Sequence, residues 1–211
     1  MRPLFLLLFG AASAWAQLFS YGVKAGVPLT EFLDAAQSQQ FAFTSTTDRF
    51  IVGPTAELHL PFGLGVEFDI LYRRFDFNGS GTLAGVVTSS SATGNAWEFP
   101  LLAKYRFSKM KIVHPYVDAG VTWDKLSGLT QTITDTVSSH TTTTTTSTPA
   151  ELNTTATRGF VMGGGLNVKV LVIHLSPEIR FTRWGAQHFI DPNGLMHSNL
   201  NQGEFLLGIT F

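Results

Sequence analysis

The sequence has 211 residues, 14 basic and 15 acidic side chains, a net charge of −1 and no cysteine. The near-neutral balance argues against a nucleic-acid partner, and the lack of cysteine excludes a disulfide framework or a thiolate metal site. Only 14% of residues are charged while 12% are aromatic, against about 25% charged in an ordinary soluble domain.

Residues 1–16 read as an export signal. Arg2 supplies a short positive region, Leu4 to Phe9 an apolar core, and Ala14-Trp15-Ala16 the small residues that a signal peptidase requires, so cleavage is expected after Ala16. The apolar run is far shorter than the roughly 20 residues of a membrane-spanning helix. Residues 17–211 then read as one domain.

From Phe19 onward the chain alternates with period two, the signature of strands. The first strand, Phe19 to Val27, sets Tyr21, Val23 and Ala25 against Ser20, Gly22 and Lys24. The second runs from Phe50 to Leu60, with Thr55, Glu57 and His59 on the polar side. The third, from Leu64 to Arg73, opposes Val66, Phe68 and Tyr72 to Glu67, Asp69 and Arg73, with Leu71 as an apolar intruder. The fourth, Trp97 to Phe107, opposes Phe99, Leu101 and Tyr105 to Glu98, Lys104 and Arg106. The fifth, Tyr116 to Asp124, carries Asp118 on its polar face, and the sixth, Phe160 to Lys169, ends with Lys169 on that face. The seventh, Ile173 to Thr182, presents His174, Ser176, Glu178 and Arg180 together. The eighth, Glu204 to Phe211, aligns Phe205, Leu207, Ile209 and Phe211.

Connections between these strands alternate long and short. Pro28 to Arg49, Asn78 to Asn95, Lys125 to Thr157 and Gly185 to Asn201 are long; Pro61 to Gly63, Ser108 to Ile112 and Val170 to Val172 are short. An even count of strands with this pattern is that of a membrane barrel with short inner turns and long outer loops. The tract Thr141 to Thr146 can bury almost nothing and is expected to be mobile. The alternative is a hairpin that continues the flanking strands, because threonine has good β propensity.

Alternation does not say which face is outside, but the aromatics do. They gather near the strand ends, as in the two girdles of a membrane barrel. The polar faces then point inward and carry Lys24, Glu57, Glu67, Asp69, Arg73, Glu98, Lys104, Arg106, Asp118, Lys169, Glu178, Arg180 and Glu204. An eight-stranded interior is just wide enough for side chains, so these charges are expected to pair and to plug the lumen. The expected fold class is all-β: an eight-stranded antiparallel up-and-down transmembrane barrel.

On four motifs the chain resembles small porin-like outer-membrane proteins with an eight-stranded OmpA/OmpX-type β-barrel. These are Ala14-Trp15-Ala16, Pro115-Tyr116-Val117-Asp118-Ala119-Gly120-Val121, Ser176-Pro177-Glu178-Ile179-Arg180-Phe181 and the terminal Phe205-to-Phe211 strand. The resemblance implies a place in the bacterial outer membrane. It also implies contact with outer-membrane lipid and lipopolysaccharide, and reading of Phe205, Leu207, Ile209 and Phe211 by the barrel-assembly machinery. No nucleic acid, cofactor or metal is expected, and a monomer is.

An enzyme would need a nucleophile, a base and an orienting carboxylate. His174, Ser176 and Glu178 supply the residue types on one face, but a polar interior triplet is the simpler reading. Gly163-Gly164-Gly165 lacks the Lys-Ser/Thr of a phosphate loop and reads as strand glycine. Pro54, Pro100 and Pro177 each remove a ladder donor, so a bulge or irregular pairing is expected near each. The function expected is structural or surface interaction through the long loops, with no chemistry. A small porin is the first alternative and a lipid A-modifying enzyme the second.

Overall fold

The computed structural model describes residues 18–35, 41–47, 50–83, 86–107, 112–138, 140–191 and 196–211. The expected signal segment and its cleavage residues Ala14 and Ala16 lie outside them. Among the described residues there are thirteen strands: β1 (Phe19–Pro28), β2 (Leu33–Ala35), β3 (Phe41–Thr47), β4 (Ile51–His59), β5 (Leu64–Asp69), β6 (Leu71–Leu83), β7 (Val86–Arg106), β8 (Val113–Val137), β9 (His140–Thr146), β10 (Ala156–Val170), β11 (Ile173–Trp184), β12 (Met196–Ser198) and β13 (Asn201–Thr210).

Eight of these positions close a ring. β1 pairs with β4, β4 with the broken strand β5–β6, and that strand with β7. β7 then pairs with β8, β8 with β10, β10 with β11, β11 with β13, and β13 returns to β1. Every neighbouring pair is antiparallel. Closure joins the first and last strands in the register Val23↔Ile209 and Ala25↔Leu207, and Phe211 N–H donates to Tyr21 O at 2.9 Å. A closed ring leaves no backbone edge in lipid, which is why such a chain can span a membrane without helices.

Two prolines account for the break in the third ring strand. Ile70 lies opposite Pro54 on one neighbouring strand, its neighbour Asp69 lies opposite Pro100 on the other, and ladder pairing lapses there on both sides. Neither proline has an N–H to donate, although Ile70 N–H still reaches Pro54 O at 3.0 Å. Pairing also lapses beside Pro177, between Gly165↔Glu178 and Val168↔Leu175. None of the three prolines shifts the register. The one register shift in the β7–β8 ladder falls between Thr93 and Asn95, opposite Gly128 at φ +60°.

Short turns close one end. Pro61–Gly63 is a single 3₁₀ turn with Phe62 and Gly63 at positive φ, and Leu171-Val172 is a two-residue turn with Leu171 at φ +56°. At the other end the strands overshoot. β8 has 25 residues, or about 80 Å at about 3.3 Å per residue, whereas crossing a bilayer takes about ten. The segment 78–95 that reads as a loop is instead the top of the β6–β7 hairpin, paired as far as Leu83↔Val86.

The threonine tract is also ordered as strand. β9 pairs with β8 from Gln131↔Thr146 to Val137↔His140, and threonine hydroxyls face one another across it at Thr132–Thr145, Thr134–Thr143 and Thr136–Thr141. The hairpin alternative therefore holds and the mobile loop does not. β-branched side chains opposite one another stabilise such a pair even without a core beneath. Together β3, β6, β7, β8 and β9 form a five-stranded outer sheet continuous with the barrel wall.

Candidate functional site

The lumen has two layers of different chemistry. The lower layer is ionic and is built by the inward phase of the alternation. Lys24 of β1 is its hub: it donates to Glu67, to Glu178 Oε2 at 2.8 Å and to Asp69 Oδ2 at 3.3 Å. Arg180 of β11 meets two of the same carboxylates, Glu178 Oε1 of its own strand at 2.7 Å and Asp69 Oδ2 across the lumen at 2.9 Å. Lys104 pairs with Glu67 and lies over the Tyr116 ring at 4.2 Å, and the Tyr116 hydroxyl donates to Glu178 Oε2 at 3.1 Å. Arg106, half-buried at the inner rim, pairs with Glu57. Lys24, Asp69 and Arg180 are at most 2% exposed, so water does not separate these charges.

Carboxylates outnumber cations in this layer. Of the thirteen side chains read as inward charges, Glu57, Glu67, Asp69, Glu98, Asp118, Glu178 and Glu204 are buried, against Lys24, Arg73, Lys104 and Arg180. Asp118 is the one left over: neither of its oxygens accepts a hydrogen bond, and no ion pair reaches it among the described residues. Its ladder partner is Gly163, whose missing side chain leaves Asp118 facing Arg180 across one strand. A Cβ on Gly163 would lie 2.7 Å from Asp118 Oδ1 and 3.2 Å from Glu178 Oε1. The glycine run thus makes room for lumen carboxylates and forms no phosphate loop. Lys169 is not part of the layer. It sits exposed near the short-turn end, one residue before Val170, where the strand has left the lumen.

The upper layer is apolar. Phe75 and Phe77 continue the inward phase of β6 above Arg73, and two outer segments fold down to meet them. One carries Phe32 and Leu33, the other Phe189 and Met196; β2 and β12 pair to hold them together. Phe32 stacks on Phe75 at 4.6 Å, and Phe189 meets Phe75 and Phe77 edge-on at 5.7 and 5.5 Å. His188 anchors the cap: one ring nitrogen lies 2.7 Å from Asp124 Oδ2 and the other 2.8 Å from Thr154 O. Arg73 joins the layers. Its guanidinium lies 4.8 Å from the centre of the Phe32 ring, and its nitrogens reach Glu98 at 2.6 Å, Gln202 at 2.7 Å and Glu204 at 3.6 Å.

No nucleophile forms from the strand triplet. His174 Nδ1 faces Asn167 Oδ1 at 3.0 Å, and Asn167 Nδ2 donates to Ser176 Oγ at 3.2 Å, so asparagine stands between base and hydroxyl. Glu178 is engaged by Lys24, Arg180 and Tyr116. Among the described residues no three His, Asp or Glu side chains gather as metal ligands.

The outer wall is the complement of the lumen. Val23, Val66, Leu101, Val121, Ile179, Leu207 and Ile209 are exposed there, between two aromatic levels. Tyr105 and Phe107 pack at 5.1 Å near one end; Phe50, Tyr72 and Trp97 pack in sequence at 6.3 and 5.0 Å near the other. An apolar band between two aromatic rings on a closed barrel is the surface of a protein embedded in a bilayer.

The sequence model of the outer membrane protein beta-barrel domain matches residues 15–185. The chain belongs to that family. The structure is also similar to the outer membrane protein OprG from Pseudomonas aeruginosa, at 12% identity and a TM-score of 0.52, over 92% of this chain and 93% of that one. Neisserial surface protein A is similar at 12% identity and a TM-score of 0.42, over 92% and 95%. Ail of Yersinia pestis is similar at 8% identity and 0.39, over 91% and 98%. At these identities the likeness is one of fold alone. No curated protein matches the sequence at a significant level. The protein is an outer-membrane β-barrel.

Proposed function

We propose that the protein is a closed barrel that carries a rigid outer sheet at the cell surface, with neither a pore nor chemistry of its own. The observation behind this reading is the double filling of the lumen. An ionic layer built on Lys24 and Arg180 lies under an aromatic cap built on Phe32, Phe75 and Phe189. An ion crossing it would have to displace paired, desolvated charges and then a dry apolar cluster. The part that reaches outward is the sheet formed by β3, β6, β7, β8 and β9, which offers hydroxyl-rich strand surface to other molecules.

Full-length protein reconstituted in a planar bilayer tests this. No steady conductance is expected, and regular single-channel steps would sink the closed-barrel reading. Assembly is proposed to use the terminal strand, whose Phe205, Leu207, Ile209 and Phe211 form one exposed stripe beside β1. Deleting Phe211 should lower the amount of heat-modifiable barrel in outer membranes. Export is proposed to remove residues 1–16, so Edman sequencing of the membrane form should begin at Gln17.

A further inference from the structure

Acidic and basic side chains separate along the height of the molecule. Beyond the outer aromatic level, residues 28–48, 75–96, 126–157 and 184–203 hold seven carboxylates and neither lysine nor arginine. Such a field concentrates cations at the outer face. Two of the seven, Glu151 and Asp191, line one cleft of about 230 Å³ on the inner side of the outer sheet. The cleft lies above the aromatic cap. Gly79 and Gly81 continue the inward phase of Phe75 and Phe77, so β6 brings no side chain into it. A Cβ on Gly79 would lie 2.8 Å from Phe43 Cε1, which places the Phe43 ring over this bare stretch of strand. Gln131 and Ile133 of β8 add to the lining, and Asp135 follows two residues on in the same phase.

Gln131 shows what the cleft lacks. The residue is 1% exposed, and its Nε2 donates to Ser90 Oγ at 3.0 Å and to Glu151 Oε2 at 3.1 Å. Its amide oxygen is buried and accepts no hydrogen bond among the described residues. A buried acceptor without a donor is costly, so a ligand that brings one is favoured. Thr88 does not supply it, because its hydroxyl donates to Asp135 Oδ1 at 2.6 Å. No lysine, arginine or histidine lines the cleft among the described residues. The occupant that fits is therefore positively charged and rich in N–H donors. The apolar part of the lining separates an organic cation from a metal ion. Calcium needs about six to eight oxygen ligands, and no three His, Asp or Glu side chains gather among the described residues. A phenyl ring attracts an ammonium to its face, and an isoleucine packs against methylenes.

We propose that this cleft binds a primary ammonium on a straight alkyl stem, the chemistry shared by a lysine side chain of another polypeptide and a free diamine. Glu151 and Asp191 hold the ammonium, the Gln131 amide oxygen accepts one of its N–H donors, and Phe43 and Ile133 flank the stem. The inference deepens the reading of the outer sheet as the part that meets other molecules, and it rests on that reading. It does not depend on a closed lumen. Channel steps in a bilayer would overturn the closed barrel and leave amine binding standing, whereas a failure of amine binding would leave the closed barrel standing.

Isothermal titration calorimetry of the full-length protein in detergent micelles tests it, at fixed ionic strength. The probes are cadaverine, Nα-acetyl-lysine amide, Nα-acetyl-norleucine amide and calcium chloride. Saturable one-to-one binding of an amine is expected, and the tighter of the first two names the source as free diamine or peptide lysine. The norleucine amide has the stem without the ammonium and should not bind. Calcium should not displace the amine. Glu151→Gln should weaken amine binding about tenfold. Ile133→Trp keeps both carboxylates but fills the cleft, and it should also weaken binding. Asp34→Asn removes an exposed carboxylate outside the cleft and should not. Heat-modifiable mobility checks that each variant folds, and if Glu151→Gln does not, Ile133→Trp decides. Unchanged affinity in the folded Glu151→Gln variant, or in Ile133→Trp where that variant decides, would overturn the proposal. So would no binding of either amine, equal binding of the norleucine amide, stoichiometric displacement by calcium, or an equal loss in Asp34→Asn.

Discussion

The lower and upper halves of the lumen solve one packing problem by opposite means. Below, strand side chains fill the space with charge, and Lys24 alone meets three carboxylates. Above, the outer segments at Phe32 and Phe189 come down into the mouth and fill it with rings. The ionic half is held by partners from across the ring, so each charge depends on several strands. The aromatic half is held by burial, which is non-directional and tolerates loss of a single ring better. A barrel wall cannot retreat from an unpaired charge, whereas a folded-in loop can relax around a missing phenylalanine.

Substitutions should separate the two halves. The largest effect is expected for Lys24→Met, which leaves Glu67, Asp69 and Glu178 crowded without their hub. Breaking one side of a buried ionic cluster costs about 4 kcal/mol, so urea unfolding from lipid vesicles should show a much lower midpoint, with less folded barrel recovered. If Lys24→Met unfolds like the wild type, the ionic layer is not what holds the lower half.

Phe189→Ala comes next, at about 3 kcal/mol if the cap packs like an ordinary core. The loss should be local. Limited proteolysis should cut the outer segments around Phe32 and Phe189 sooner, while heat-modifiable mobility of the barrel stays normal. Concerted loss of both would show that cap and wall are one unit.

Asp118→Asn sharpens the comparison from the other side. Asp118 is buried with no donor, so removing its charge should leave stability unchanged or raise it by about 1 kcal/mol. A strong loss would mean that Asp118 is paired in the membrane after all. The smallest effect is expected for Thr143→Ala on the exposed β8–β9 hairpin, within about 0.5 kcal/mol in the same unfolding assay. A larger loss would show that the outer sheet supports the barrel beneath it.

How far each half could be read from sequence follows from its construction. Eleven of the thirteen inward charges lie buried in the lumen because strand alternation places them there, with Arg106 at the rim. Lys169 fails the same rule because it stands two residues before the Leu171 turn, still paired with His174 but at the exposed rim of the wall. Phe75 and Phe77 share the phase of Arg73 and could have been found by running the third strand past Arg73. Phe32, His188, Phe189 and Met196 could not, since their segments show no long period and their partners are remote in sequence. His188 meets Asp124, 64 residues away. The threonine tract was open to two readings because composition alone permits either; its cross-strand partners Thr132, Thr134 and Thr136 decided it.

The eight positions of the ring, their order and the inward or outward sense of most of their residues were determined by the sequence alone, because period-two alternation and alternating connection lengths are local properties. The fold alone decided which charges meet, which carboxylate is left over, and that two outer segments close the mouth. Those outcomes depend on closure of the ring, which brings β1 against β13 and sets Lys24 within reach of Glu178, 154 residues away.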